Sequence, residues 1–262
     1  MKVGAILGLA GMLGSIAWST AACAQRTDPQ PEARVAECRL NPAIVTPAVR
    51  PGHEEKKASR IAQVDEDLAR DRADVLVLGD SIMERWPAAS LQTAFPGERV
   101  VNAGVAGDWV SDLLFRLAGR TSQVAGAQAL GIQHWRNQSP RLVTIMIGTN
   151  DLRGAEPCYI ASGIVAAAAK ARALYPSARI AVLSILPRGN PQGQFADQIA
   201  AVNALVAGEA KRSGRYDYVD LTPAFTCPRG ADCDLTVPIT YIHPSDKGYA
   251  KLAAALRARL HK

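Results

Sequence analysis

An uninterrupted apolar run, Val75-Leu76-Val77-Leu78, stops abruptly at the small polar tripeptide Gly79-Asp80-Ser81, and this break constrains the fold more than any other feature of the chain. Four consecutive branched apolar residues leave neither face for water. The segment therefore reads as a strand buried on both sides, as in a parallel sheet with helices on each face. Two further apolar runs end in the same way. Val100-Val101 leads into Asn102-Ala103-Gly104-Val105-Ala106-Gly107-Asp108, and Val143-Thr144-Ile145-Met146-Ile147 leads into Gly148-Thr149-Asn150-Asp151. Each reads as a strand closed by a tight turn rich in hydrogen-bond donors.

Strands and helices alternate along the rest of the chain. Strands are predicted near 75–78, 99–102, 142–147, 179–183 and 216–219, and helices near 58–72, 111–118, 123–136, 160–174, 196–212 and 246–260. In the first of these helices Ile61, Val64 and Leu68 recur at spacings of three and four, the mark of one buried face. This order argues an α/β fold with a central parallel sheet of about five strands, covered on both faces. Ligands of open parallel sheets bind beyond the carboxyl ends of the strands. Ser81, Gly107 and Asn150, each just after a strand, then converge on one edge.

Ser81 is a candidate nucleophile, but an uncharged hydroxyl attacks poorly without a base and without donors for the developing oxyanion. His243 is the candidate base: Tyr241-Ile242-His243-Pro244-Ser245-Asp246 precedes the amphipathic C-terminal helix, where a loop histidine can fold back over the sheet edge. Taken in order, Gly79-Asp80-Ser81, Asn102 to Asp108, Gly148-Thr149-Asn150-Asp151 and His243-Pro244 resemble the sequence blocks of the SGNH, or GDSL-type, serine hydrolases, and the resemblance spans roughly 74–260. Leu186-Pro187-Arg188-Gly189 is similar to the platelet-activating-factor acetylhydrolase-like branch. The resemblance implies a three-layer α/β/α, flavodoxin-like fold and cofactor-free ester hydrolysis. It implies Ser81 as nucleophile, His243 as general base, and an oxyanion hole of the Ser81 and Gly107 N–H groups with the Asn150 side-chain amide. Gly104 competes with Gly107 for the donor role, and the family pattern favours Gly107.

One position departs from the pattern. The family has an acidic residue three positions before its histidine, and here that position is Thr240. In serine triads the acid fixes the imidazole tautomer and stabilises the imidazolium. A backbone carbonyl, the Thr240 hydroxyl, or a spatially close acid such as Asp234 or Asp246 are the substitutes, and the sequence does not choose among them. Trp109 and Trp86 are candidates to line the cleft mouth. Arg188 either touches substrate or pins its loop. Asp80 and Asp151 mimic a paired-carboxylate acid/base set, but such aspartates more commonly anchor turns.

The chain has 262 residues, 48% of them hydrophobic and 5% aromatic, which suits one well-buried domain. Residues 1–24 read as a secretory signal, with an apolar stretch after Lys2 and cleavage after Ala24. The competing reading, a lipoprotein signal ending at Cys23, lacks an aliphatic residue at the start of Thr20-Ala21-Ala22-Cys23. Residues 25–57, rich in proline and charge, read as an extended arm, and 58–262 as the catalytic domain. No later segment reaches the ~18 consecutive apolar residues of a membrane span.

Loss of the signal leaves Cys38, Cys158, Cys227 and Cys233, an even set suited to an oxidising compartment. Three pairings exist. The short loop between Cys227 and Cys233 makes them natural partners and leaves Cys38 for Cys158. The cysteine and histidine spacings resemble no zinc pattern, so no metal is expected. The net charge of +6 is spread along the chain rather than clustered, which does not imply nucleic acid. Gly79-Asp80-Ser81 is no glycine-rich phosphate cradle, so a dinucleotide site is not expected either.

The expectation is therefore an exported, periplasmic or secreted, serine esterase that cleaves small, acetyl-like esters of a small molecule or carbohydrate through an acyl-enzyme. Its rivals are a binding protein on a decayed hydrolase fold, motivated by Thr240, and an acyltransferase acting on envelope glycans.

Overall fold

Alternation of side chains along each strand divides the sheet into two apolar faces, and each face collects its own helices. The structure, a computed structural model, describes Met1 and residues 34–38, 54–119, 134–189, 193–227 and 234–260. Its strands are β1 (Val75–Gly79), β2 (Val100–Gly104), β3 (Leu142–Met146), β4 (Arg179–Leu183) and β5 (Asp217–Val219), in the order β2-β1-β3-β4-β5 with every neighbouring pair parallel. This is the doubly wound, flavodoxin-like order, whose connections reverse direction between β1 and β3.

On one face Leu76, Leu78, Ala103, Val143, Ile145 and Val182 pack against α1 (Glu54–Arg70), α4 (Val110–Leu117), α5 (Pro157–Leu174) and α6 (Ala196–Ser213). On the other, Val75, Val77, Leu142, Met146 and Leu183 meet α2 (Ser81–Glu84), α3 (Ala88–Ala94), α7 (Thr222–Phe225) and α8 (Asp246–Leu260). The β1 register pairs Gly79 with Gly104 on one side and Met146 on the other, so the three central strands end level and release their turns together. α2 lies directly over those ends. A Cβ on Gly79 would come within 2.2 Å of Met146 O, and one on Gly104 within 2.3 Å of Glu84 N, so a larger residue would displace β3 at the first position and α2 at the second.

The predicted strands correspond to the five observed, and the α/β/α layering is that implied by the resemblance. Three differences have local causes. The helix predicted over 58–72 runs Glu54–Arg70, so residues 54–57, assigned to the arm from sequence, are helical. The short helices α2, α3 and α7, which the sequence reading did not anticipate, are too brief to show a 3.6-residue period. The helix predicted over 123–136 falls mostly outside the described residues, and its last positions form a 3₁₀ turn, His134–Asn137.

Cys38 and Cys158 are joined by a disulfide with a Cα–Cα distance of 5.4 Å, as the pairing by loop length expected. Cys227 is also disulfide-bonded, and its expected partner Cys233 lies outside the described residues. Apart from Met1, the expected signal, 1–24, lies outside them as well. Among the described residues no helix is long and apolar enough to cross a membrane.

Candidate active site

The chain leaves β1 at Gly79 and turns at once into α2. Asp80 is the N-cap: its backbone is extended, and its Oδ1 accepts the Ile82 N–H at 2.9 Å. Ser81 therefore occupies the first helical position, where a backbone N–H has no intrahelical acceptor. The residue is 7% exposed, and its Oγ lies 2.9 Å from His243 Nε2.

His243 reaches Ser81 because its loop is tied down at several points. Thr236 and Pro244 form an antiparallel bridge, Val237 N–H donates to His243 O at 2.9 Å, and Gly189 N–H donates to Tyr241 O at 2.8 Å. α8 is fastened to α2 in turn, since Tyr249 Oη donates to Ile82 O at 2.7 Å. Tyr241 holds a left-handed φ of 48°, which non-glycine residues adopt only where their surroundings enforce it.

Two groups meet the far nitrogen of the ring. Thr240 Oγ1 lies 3.1 Å from His243 Nδ1, and Arg85 Nη1 lies 3.2 Å from the same atom. The two aspartates considered from sequence are elsewhere: Asp234 pairs with Lys247 Nζ at 2.6 Å, and Asp246 stands at the exposed start of α8. Burial, reinforced by the charges of Arg85 and Arg188, holds the His243 pKa down to about 4. The imidazole is neutral at pH 7.

The donor turns are built on buried polar contacts. Asn150 Nδ2 donates to Asp108 O at 2.8 Å, which leaves the second proton of that amide for a ligand. Gly104 N–H donates to Asn102 Oδ1 at 3.0 Å and is thereby committed to its own turn. Gly107 has a φ of +76°, open to glycine at no steric cost. Glu84 accepts the Ala106 N–H, and Asn102 Nδ2 donates to Met83 O at 2.6 Å, so α2 and the Gly107 turn hold each other in place.

Beneath the turn lies a buried ion cluster. Asp108 accepts from Arg116 Nη2 at 2.6 Å and faces Lys57 Nζ at 3.0 Å, while Lys57 also pairs with Asp112 at 3.0 Å. Burial still pushes the Asp108 carboxyl upward against the pull of these cations. Asp80 is raised to about 7, by burial first and then by the nearby Asp108 and Asp151 charges. Asp151 accepts the Val110 N–H at 3.2 Å. Asp80 and Asp151 thus anchor turns; neither is placed as one of an acid/base pair.

Arg188 is 2% exposed: it donates to Thr149 O at 3.0 Å and to Gln194 Oε1 at 3.0 Å, so it pins the loops beside Asn150. Trp109 is half-buried, its backbone N–H donating to Asp112 Oδ2 at 2.9 Å. Trp86 requires a correction. It is 3% exposed and sits in the core against Tyr249, ring centroids 5.5 Å apart, rather than at the cleft mouth, because α3 and α8 close over it. Arg85 and Lys57 escaped the sequence reading. Arg85 carried a usable signal, for it lies four residues after Ser81, one turn along the same side of a helix. Lys57 carried none within a segment taken as an arm.

Residues 77–251 match the model of the GDSL-like lipase/acylhydrolase family. The chain belongs to that family. Among curated proteins it is similar to the human platelet-activating factor acetylhydrolase IB subunit alpha1, 26% identical over 188 residues that cover 71% of this chain and 75% of the relative. It is likewise similar to the rat alpha2 subunit, 26% identical over 193 residues covering 72% and 77%. Among solved structures it shares the fold of a GDSL-like lipase from Bacteroides thetaiotaomicron, with a TM-score of 0.57, 18% identity, and coverage of 77% of this chain and 97% of that one. It also shares the fold of an acetyl-xylooligosaccharide esterase from Geobacillus Stearmophilus, with a TM-score of 0.56, 21% identity, and coverage of 72% and 94%. The chain is a serine ester hydrolase of the GDSL class.

Proposed function

We propose that this GDSL-family hydrolase is exported and cleaves small, acetyl-like carboxylic esters through a Ser81–His243 mechanism with an acyl-enzyme intermediate. The observation that carries the reading is the 2.9 Å contact between Ser81 Oγ and His243 Nε2, a nucleophile and a base within hydrogen-bond reach. Ser81 Oγ attacks the ester carbonyl as its proton passes to His243 Nε2. The tetrahedral oxyanion is received by the Ser81 and Gly107 N–H groups and the free proton of the Asn150 amide. His243 then protonates the leaving alcohol and activates the water that releases the acid. Thr240, bonded to Nδ1, orients the ring in place of a carboxylate. The acetyl preference is supported by the named activities of the similar proteins. Export is supported by the signal-like N-terminus and by the Cys38–Cys158 disulfide, a bond suited to oxidising compartments.

The test is pre-steady-state hydrolysis of 4-nitrophenyl acetate together with fluorophosphonate labelling. A burst of nitrophenol and an adduct mapped to Ser81 are expected, both lost in Ser81→Ala. Equal turnover by Ser81→Ala overturns the mechanism, and a folded protein that takes no label favours the binding-protein reading. Acylated product appearing when sugar acceptors are added shifts the assignment to acyl transfer.

A further inference from the structure

A guanidinium carries only donors, so wherever Arg85 Nη1 bonds to His243 Nδ1, that nitrogen must accept. A neutral imidazole then has its proton on Nε2 and donates to Ser81 Oγ, the reverse of what a base requires. The position three residues before His243, where the family keeps an anion to hold the opposite tautomer, is Thr240, a neutral hydroxyl. The charges that face His243 are cationic: Arg85 from the end of α2 and Arg188 from the loop after β4. Arg153 stands near Arg188 and adds to the same field. Asp234, on the histidine's own loop, is spent on Lys247. Arg85 is exposed, so it is free to turn away from the ring when something better is offered.

We infer that the natural ester carries an anionic group, of the carboxylate kind, which Arg85 binds at the cleft mouth, and that this contact draws the guanidinium from His243 Nδ1. The inference rests on the Ser81–His243 reading and names its substrate class. With the guanidinium engaged, Nδ1 takes a proton and donates it to Thr240 Oγ1 or to the substrate's own anion. Nε2 becomes the acceptor for the Ser81 hydroxyl proton. The tautomer change gives the Nε2 proton to solvent water and takes one from solvent at Nδ1, with no net proton change, and every other bond made or broken belongs to ester hydrolysis. Substrate thus supplies the negative charge that the chain lacks at residue 240, and neutral esters meet a resting histidine in the wrong tautomer.

The experiment compares 3-acetoxybenzoate and 4-acetoxybenzoate with their neutral methyl esters, each rate normalised to hydroxide-catalysed hydrolysis, in the wild-type protein, Arg85→Ala and Arg85→Lys. For at least one isomer the wild type is expected to prefer the anion by tenfold or more in kcat/KM. Arg85→Ala removes that preference and raises kcat/KM on the neutral esters several-fold, and Arg85→Lys keeps most of it. The acid limb of the pH profile on the neutral esters moves upward from about 4 in Arg85→Ala, because a cation beside the ring is gone. Fluorophosphonate labelling of Ser81 in each variant shows that its site is assembled.

Equal rates on the charged and neutral members of both pairs overturn the inference. So does a preference that survives Arg85→Ala, or an equal loss by that variant on both classes. Such results with Ser81→Ala inactive leave the hydrolase reading standing, whereas an active Ser81→Ala removes the reading itself.

Discussion

At Asn150 one amide proton already serves Asp108 O at 2.8 Å, so the other is aimed by a hydrogen bond rather than by solvent. Donors fixed in advance of charge development stabilise a transition state without reorganising, and loss of one costs about 10² to 10³ in kcat. Asn150→Ala is therefore expected to lower kcat by that factor with a small change in KM, measured on 4-nitrophenyl acetate. Thr240 poses the opposite case, a position where a stronger group is absent. Thr240→Asp is expected to raise kcat at pH 8 tenfold or more, since an acid beside Nδ1 is worth up to about 10⁴ in serine triads. The sign of the pH effect follows from which form works. In the proposed mechanism neutral His243 is the active form, so wild-type activity is expected to persist down to about pH 4 and to fall below it. A carboxylate beside the ring favours the imidazolium, so the acid limb of Thr240→Asp moves up toward ordinary histidine values. An unmoved limb would show that Thr240 does not face the ring in solution. At this scale the roles proposed for Ser81, Asn150 and His243 could be read from sequence because they are tied to short motifs that resemble the family's blocks. Those of Arg85 and the orienting group could not, since what lies beside Nδ1 depends on loops 158 residues apart in sequence.

Helix α1 begins earlier than its apolar period implies, and its first turns bring Lys57 under the Gly107 turn, in contact with Asp108 and Asp112. Apolar spacing reports only the face that meets the core, so a buried lysine at the helix start gives no periodic signal. Breaking a buried pair leaves an uncompensated charge and typically costs about 3–5 kcal/mol. Lys57→Met is expected to lower the melting temperature strongly at pH 8 and less at pH 5, because the Asp108 carboxyl, already raised by burial, rises further without Lys57 and its protonation relieves the unbalanced charge. Scanning calorimetry at the two pH values reads the difference, and an equal loss at both would assign the effect to packing. The strands behave otherwise. β1 and β3 are buried on both faces, so composition alone marks them, and their level ends at Gly79 and Met146 follow from the register. The brief helices α2 and α3 are held by the contacts around them, which local sequence does not describe.

Over the whole molecule the Cys38–Cys158 bond closes a loop of 120 residues and ties the segment around Val35 to the start of α5. Restricting so long a loop in the unfolded chain is worth about 4–5 kcal/mol in the chain-entropy account. The double variant Cys38→Ala/Cys158→Ala is expected to melt many degrees lower while keeping its kcat/KM at 25 °C, because the proposed mechanism uses neither residue. A large loss of activity in the still-folded variant would instead make the bond part of the site's scaffold. Sequence alone determined the layered α/β architecture and the order of the donor turns, both written in local composition and spacing. The roles proposed for Ser81 and His243 rest on the family resemblance of short motifs, and the Cys38–Cys158 bond is one of three pairings the sequence allows. Tertiary structure alone decided that Trp86 belongs to the core, that Gly104 spends its N–H on Asn102, and that Thr240 and Arg85 share one ring nitrogen of His243. Those outcomes depend on which distant atoms come within about 3 Å, and a hydrogen bond's direction is set by its partners in space, not by their order along the chain.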